Sequence, residues 1–130
     1  ISPETQVIDF GKFNLLDIRR HTMSKTFSIK TTKSQNDQCT DGFKVSSSFY
    51  TEETLVEEDK ALLIGNGLKL RLLDENASPY TFNKYAEYAD FTSDMLVYEK
   101  TYTAELSSIA GTPIEAGPFD TVVLFKINYN

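Results

Sequence analysis

The chain has 130 residues, one cysteine, one histidine and a formal net charge of −6. That length holds one domain with a substantial core, and a hydrophobic content of 40% excludes a disordered polymer. The acidic balance argues against a nucleic-acid partner, which favours a basic face, and no apolar run is long enough for a membrane-spanning helix.

From the N-terminus, the chain reads as strands with almost no helix. Val7-Ile-Asp-Phe-Gly11 is a short alternating segment ended by glycine. Thr26 to Lys33 alternates with period two, placing Phe27, Ile29 and Thr31 on one face. Asn36-Asp37 and Asp41-Gly42 are turn signals around Cys39. Phe43, Val45, Ser47 and Phe49 form the next alternation, and the acidic stretch Glu52 to Asp59 reads as a solvated loop. Ala61 to Ile64 is a short apolar run, Gly65-Asn-Gly67 punctuates it, and Leu68, Leu70 and Leu72 alternate with Lys69 and Arg71. Pro79 to Asp94 is the least strand-like region. Tyr85, Tyr88 and Phe91 are spaced three apart, and the expectation is a loop folded over one end of the core with its aromatics packed in. Tyr98, Lys100 and Tyr102 mark a further strand. If their shared face is inward, Lys100 must reach the rim with its charge. About seven short strands separated by turn signals predict an all-β antiparallel sandwich.

Residues that could carry catalysis are scarce. His21 stands beside Arg19 and Arg20 with no cysteine or second histidine near it, whereas a metal site or nucleophile–base pair needs converging partners. Glu52-Glu53 and Glu57-Glu58 are adjacent pairs whose side chains diverge in an extended loop, unlike a glycosidase acid/base pair. Asn76-Ala-Ser78 fits a glycosylation sequon weakly, with Pro79 directly after it. No phosphate-binding glycine loop occurs. The expectation is a protein that is not an enzyme and uses no metal or cofactor.

The last fourteen residues are the most informative. Gly117-Pro118 is a turn signal that launches an alternating run to Asn130. Phe119, Thr121, Val123, Phe125, Ile127 and Tyr129 share one face; Asp120, Val122, Leu124, Lys126 and Asn128 share the other. Nothing follows to cover or pair this strand, so it is expected at a sheet edge, where long apolar strands are a liability.

These features resemble the pilin domains of the chaperone–usher pathway, the subunits of type 1 and P-type bacterial fimbriae. Val7-Ile-Asp-Phe-Gly11 resembles their first strand, Phe27-Ser-Ile29 leading to Cys39 their second, Leu68 to Asp74 their fourth and Tyr98 to Tyr102 their fifth. Such pilins end on a penultimate tyrosine with a glycine fourteenth from the end; here these are Tyr129 and Gly117. The resemblance implies an incomplete immunoglobulin-like β-sandwich lacking its last strand, with 1–130 as one pilin domain. It implies a donor-strand groove floored by Phe119, Val123, Phe125, Ile127 and Tyr129, and chaperone recognition at Gly117, Tyr129 and Asn130. The implied partners are a periplasmic chaperone, an outer-membrane usher and neighbouring pilin subunits, with no nucleic acid. The implied destination is an extracellular fimbrium on the bacterial surface, reached through the periplasm, with a role in cell adhesion.

Two departures from the family sit at the same end. The cysteine that pairs with the second-strand cysteine is absent, so Cys39 is expected to bond to a partner outside this chain; the N-terminal donor extension is absent too. A chain without Met at its start fits a processed or trimmed subunit. The alternative within the family is the pilin domain of a two-domain tip adhesin. An alternative of another class is a self-contained carbohydrate-binding sandwich, with Tyr80, Tyr85 and Tyr88 as a stacking surface.

Overall fold

The computed structural model describes residues 5–7, 23–33, 42–65, 67–92, 94–113 and 123–129. Nine strands are present among them: β1 (Thr5–Val7), β2 (Met23–Thr32), β3 (Phe43–Tyr50), β4 (Leu55–Val56), β5 (Ala61–Gly65), β6 (Leu68–Leu73), β7 (Ala86–Phe91), β8 (Val97–Ser108) and β9 (Leu124–Tyr129). They form two antiparallel sheets. One runs β1-β9-β3-β7 and the other β2-β8-β6-β5-β4. Every ladder is antiparallel.

The period-two pattern dictates which side chains meet between the sheets. Val45 and Phe49 of β3 face Leu68, Leu70 and Leu72 of β6 and Tyr102, Ala104 and Leu106 of β8 in one core, all nearly or fully buried. Each fully buried Leu or Phe contributes about 1.5–3 kcal/mol. Aromatic edges tie the two sheets together. Phe49 of one sheet meets Tyr102 of the other edge-on at 5.2 Å, and Phe27 stacks on Tyr102 within its own sheet at 5.5 Å. Lys100 is half-buried with its ammonium 5.9 Å from the Tyr102 ring centre, the rim position its inward face requires. The Tyr102 hydroxyl is buried and has no hydrogen-bond partner among the described residues.

Two segments differ from the sequence expectation. Pro79 to Asp94 is not a loop throughout: it contains β7, which pairs with β3. The register shifts between Val45 and Ser46, which face Ala89 and Glu87, so Tyr88 is the extra residue of a bulge. Tyr88 and Ala89 are then both buried, and the alternation that marks a strand is broken at that point. The acidic stretch 52–59 is not simply a solvated loop either. It carries β4, followed by a turn in which Glu57, Glu58 and Asp59 all adopt left-handed φ of 56, 60 and 66°. Such residues cost about 1–2 kcal/mol each. The turn is fixed by Phe82 N–H donating to the Asp59 carbonyl at 2.8 Å and Lys60 N–H donating to the Glu57 carbonyl at 3.2 Å.

Candidate functional site: the far side of the last strand

β9 carries the site because both its core face and its backbone edge are defined. Val123 and Phe125 are fully buried. The Phe125 ring lies 5.5 Å from Phe49, 5.4 Å from Tyr88 and 6.4 Å from Tyr102. Ile127 is half-buried and packs against the same core. On the opposite face the Lys126 ammonium sits 3.8 Å from the centre of the Tyr50 ring. The expected inward set is thus seen at Val123, Phe125 and Ile127. Phe119, Gly117, Asn130, Cys39 and His21 lie outside the described residues, as does the Tyr129 side chain.

The backbone phase of β9 follows from its neighbour. Asn83 N–H donates to the Phe49 carbonyl at 2.8 Å, and Thr51 N–H donates to Asn83 Oδ1 at 2.9 Å. Both bonds lie on the β7 side of β3. Odd-numbered residues of β3 therefore turn their N–H and C=O toward β7, and even-numbered ones toward β9. Phe125 stands opposite Phe49, Ile127 opposite Ser47 and Tyr129 opposite Val45. Hence Phe125, Ile127 and Tyr129 all turn their backbone groups away from β3, whereas Leu124, Lys126 and Asn128 bond to it.

On that far side the described residues of β1 cover the first half of β9. Thr5, Gln6 and Val7 stand opposite Lys126, Phe125 and Leu124. The expectation that nothing pairs the last strand is corrected here: a segment from the other end of the chain satisfies Phe125, because an unpaired apolar edge attracts any strand within reach. No described residue stands opposite Ile127 or Tyr129. Their N–H and C=O groups point to that far side, beyond the described part of β1 and beside a half-buried isoleucine.

The tyrosines proposed as a sugar platform do not share a surface. Tyr88 is buried, with its hydroxyl 3.2 Å from Thr31 Oγ1, and Tyr80 packs edge-on against Phe49 at 5.2 Å. Tyr85 alone of the three is exposed, at 48%. Burial, followed by the nearby Asp74 and Glu75 carboxylates, pushes the Tyr80 hydroxyl up to about 12.

No protein-family model matches the sequence. Solved structures do match its fold. The P pilus rod subunit PapA superposes with a TM-score of 0.66 at 16% identity, covering 98% of this chain and 100% of that one. It has the fold of a chaperone–usher pilin. A chain of a chaperone–usher pilus, from a structure concerned with rod uncoiling, matches with a TM-score of 0.61 at 16% identity, over 100% of this chain and 90% of that one. The expected fold class, an all-β immunoglobulin-like sandwich lacking its last strand, is the observed one.

Proposed function

We propose that this chain is a structural subunit of a chaperone–usher fimbria, and that it accepts a strand from another chain along the open side of β9. The observation that carries this reading is the outward backbone phase of Ile127 and Tyr129, with no described residue opposite them. A strand added there gains main-chain hydrogen bonds, and its alternate side chains pack beside Ile127. The likeness to rod subunits over the full chain supports the same reading.

The geometry suggests an order of events. An incoming strand pairs first with Ile127 and Tyr129. It then replaces β1 at Phe125, where Gln6 holds one bonded pair and hence two hydrogen bonds. At about 0.5–1.5 kcal/mol net per bond, β1 contributes about 1–3 kcal/mol, while a strand spanning all three outward residues makes about six bonds. The described part of β1 is therefore a weak cover. In the fibre the donor is a neighbouring subunit, and before assembly it is a periplasmic chaperone, with the usher receiving the complex. Gly117, Tyr129 and Asn130 are proposed for chaperone recognition. Phe119, Val123, Phe125, Ile127 and Tyr129 are proposed as the groove set, and Cys39 as one half of a disulfide. The working location is the extracellular fimbrium.

Co-expression with a fimbrial chaperone in the periplasm tests the proposal. The wild-type chain is expected to co-purify, and Ile127→Lys, checked for folding by circular dichroism, is expected not to. Equal recovery of a folded Ile127→Lys chain, or a stable wild-type monomer that never engages the chaperone, overturns it.

A further inference from the structure

We propose that the edge of β8 at Glu99 and Thr101 is a second strand-binding site, which takes an extended peptide segment rich in lysine or arginine. This inference does not rest on the reading of β9. It starts from the length mismatch between β8 and β6. β8 pairs with β2 along Val97–Leu106, but β6 ends at Leu73, opposite Thr103. The chain then turns away through Asp74, whose N–H donates to the Ser78 carbonyl at 2.9 Å.

The backbone phase is again fixed by a neighbouring bond. Lys33 N–H donates to the Leu96 carbonyl at 2.7 Å, one step beyond the pair Thr32 and Val97. Alternation then makes Thr31 with Tyr98 and Ile29 with Lys100 the bonded pairs. Glu99 and Thr101 turn their N–H and C=O groups away from β2, toward the line that β6 has vacated. Tyr80 N–H donating to the Leu72 carbonyl at 2.8 Å agrees, because it turns Leu72 away from β8 and leaves Leu73 and Arg71 as the residues that bond to it. No described residue stands opposite Glu99 or Thr101 on the open side.

A cleft of about 600 Å³ lies along this edge, between β8 and the turn at Asp74, Glu75 and Ala77. Its charge selects the occupant. Asp74 Oδ1 accepts the N–H groups of Asn76 and Ser78, and Glu105 is held by Arg71 Nε at 2.8 Å. Glu75 and Glu99 make no ion pair among the described residues, although Lys30 stands opposite Glu99 on β2. Lys100 also lines the cleft, with its ammonium 5.9 Å from the Tyr102 ring centre. An added strand that extends β6 would place alternate side chains beside Glu99 and the turn carboxylates, where lysine or arginine is favoured and acidic residues are repelled.

The probe is a capped peptide Lys-Thr-Lys-Val-Lys-Thr, titrated into the intact chain while backbone amide resonances are followed by NMR. Saturable shifts at Glu99 and Thr101 are expected. They are expected to vanish with a peptide carrying Glu for Lys, or with one N-methylated at alternate residues. Glu99→Lys, a change at an exposed side chain that leaves the chain folded by circular dichroism, is expected to weaken binding about tenfold. The proposal is overturned by absent shifts at these two residues or by equal binding of the Glu peptide. It is overturned equally by undiminished binding of the N-methylated peptide, by shifts confined to Ile127 and Tyr129, or by self-association that Glu99→Lys abolishes, which would make a second copy the occupant.

Discussion

Phe125 and Ile127 sit two residues apart on the same face of β9, yet their truncations should differ severalfold in cost. Phe125 has no exposed surface and lies within 5.5 Å of Phe49 and Tyr88, ring centre to ring centre. Phe125→Ala removes that ring from a core shared by both sheets, at a cost of about 3–5 kcal/mol. Ile127 is half-buried, so Ile127→Ala forfeits about half of a full isoleucine truncation, or about 1–2 kcal/mol. Urea unfolding followed by circular dichroism reads both. With a slope of about 2 kcal/mol per M, the midpoint should fall by about 2 M for Phe125→Ala and by under about 1 M for Ile127→Ala, with the slope itself unchanged. Equal losses would refute the reasoning, because Ile127 would then be as enclosed as Phe125 and the far side of β9 would be closed. A consequence for design follows. A charge at Phe125 or Val123 should unfold the domain before it reports on any partner, so partner binding is better probed at Ile127.

The remaining predictions concern buried polar groups and one glycine. Tyr102→Phe removes a buried hydroxyl that has no partner among the described residues, and should leave stability unchanged or raise it by about 1 kcal/mol, read as a higher melting temperature; a clear loss would show that the hydroxyl is bonded. Tyr80 is neutral while protonated and its folded value is raised from 10.0 to about 12, chiefly by burial. The unfolded chain therefore releases that proton first, and stability should be level below pH 10 and fall between pH 10 and about 12. Tyr88 and Tyr102 shift the same way, and urea midpoints that stay constant across this window would contradict the assignment. Gly42→Ala would bring a Cβ to 2.7 Å from the Phe91 carbonyl oxygen, so it should destabilise the β3–β7 end of the sheet, seen as faster amide exchange at Phe43 and Phe91.

Most strands were legible from alternation, and the reasons for the misses are physical. Leu68, Leu70 and Leu72 alternate with Lys69 and Arg71, and β6 forms there with the leucines inward. β7 was missed because its bulge at Tyr88 puts two consecutive residues, Tyr88 and Ala89, into the core. The turn at Glu57, Glu58 and Asp59 was missed because left-handed φ at three acidic residues runs against local preference and is held by a distant donor, Phe82 N–H. At β9, the sequence pattern places Val123, Phe125 and Ile127 on the core side, as observed. It carries no information on which backbone groups point outward. That phase depends on Asn83 bonding to Phe49, a contact between segments far apart in the chain. The pairing of β1 with β9 is long-range for the same reason, and the open edge of β8 depends on where β6 stops.

Amide hydrogen exchange at Ile127 and Tyr129 tests the central claim most directly. In the isolated chain both amides should exchange much faster than those of Leu124, Lys126 and Asn128, which bond to β3. In a complex with a fimbrial chaperone or a neighbouring subunit's strand, both should become as protected as those three. Slow exchange in the isolated chain, or a complex that leaves Ile127 and Tyr129 exchanging freely, would contradict the account of β9 as a strand acceptor.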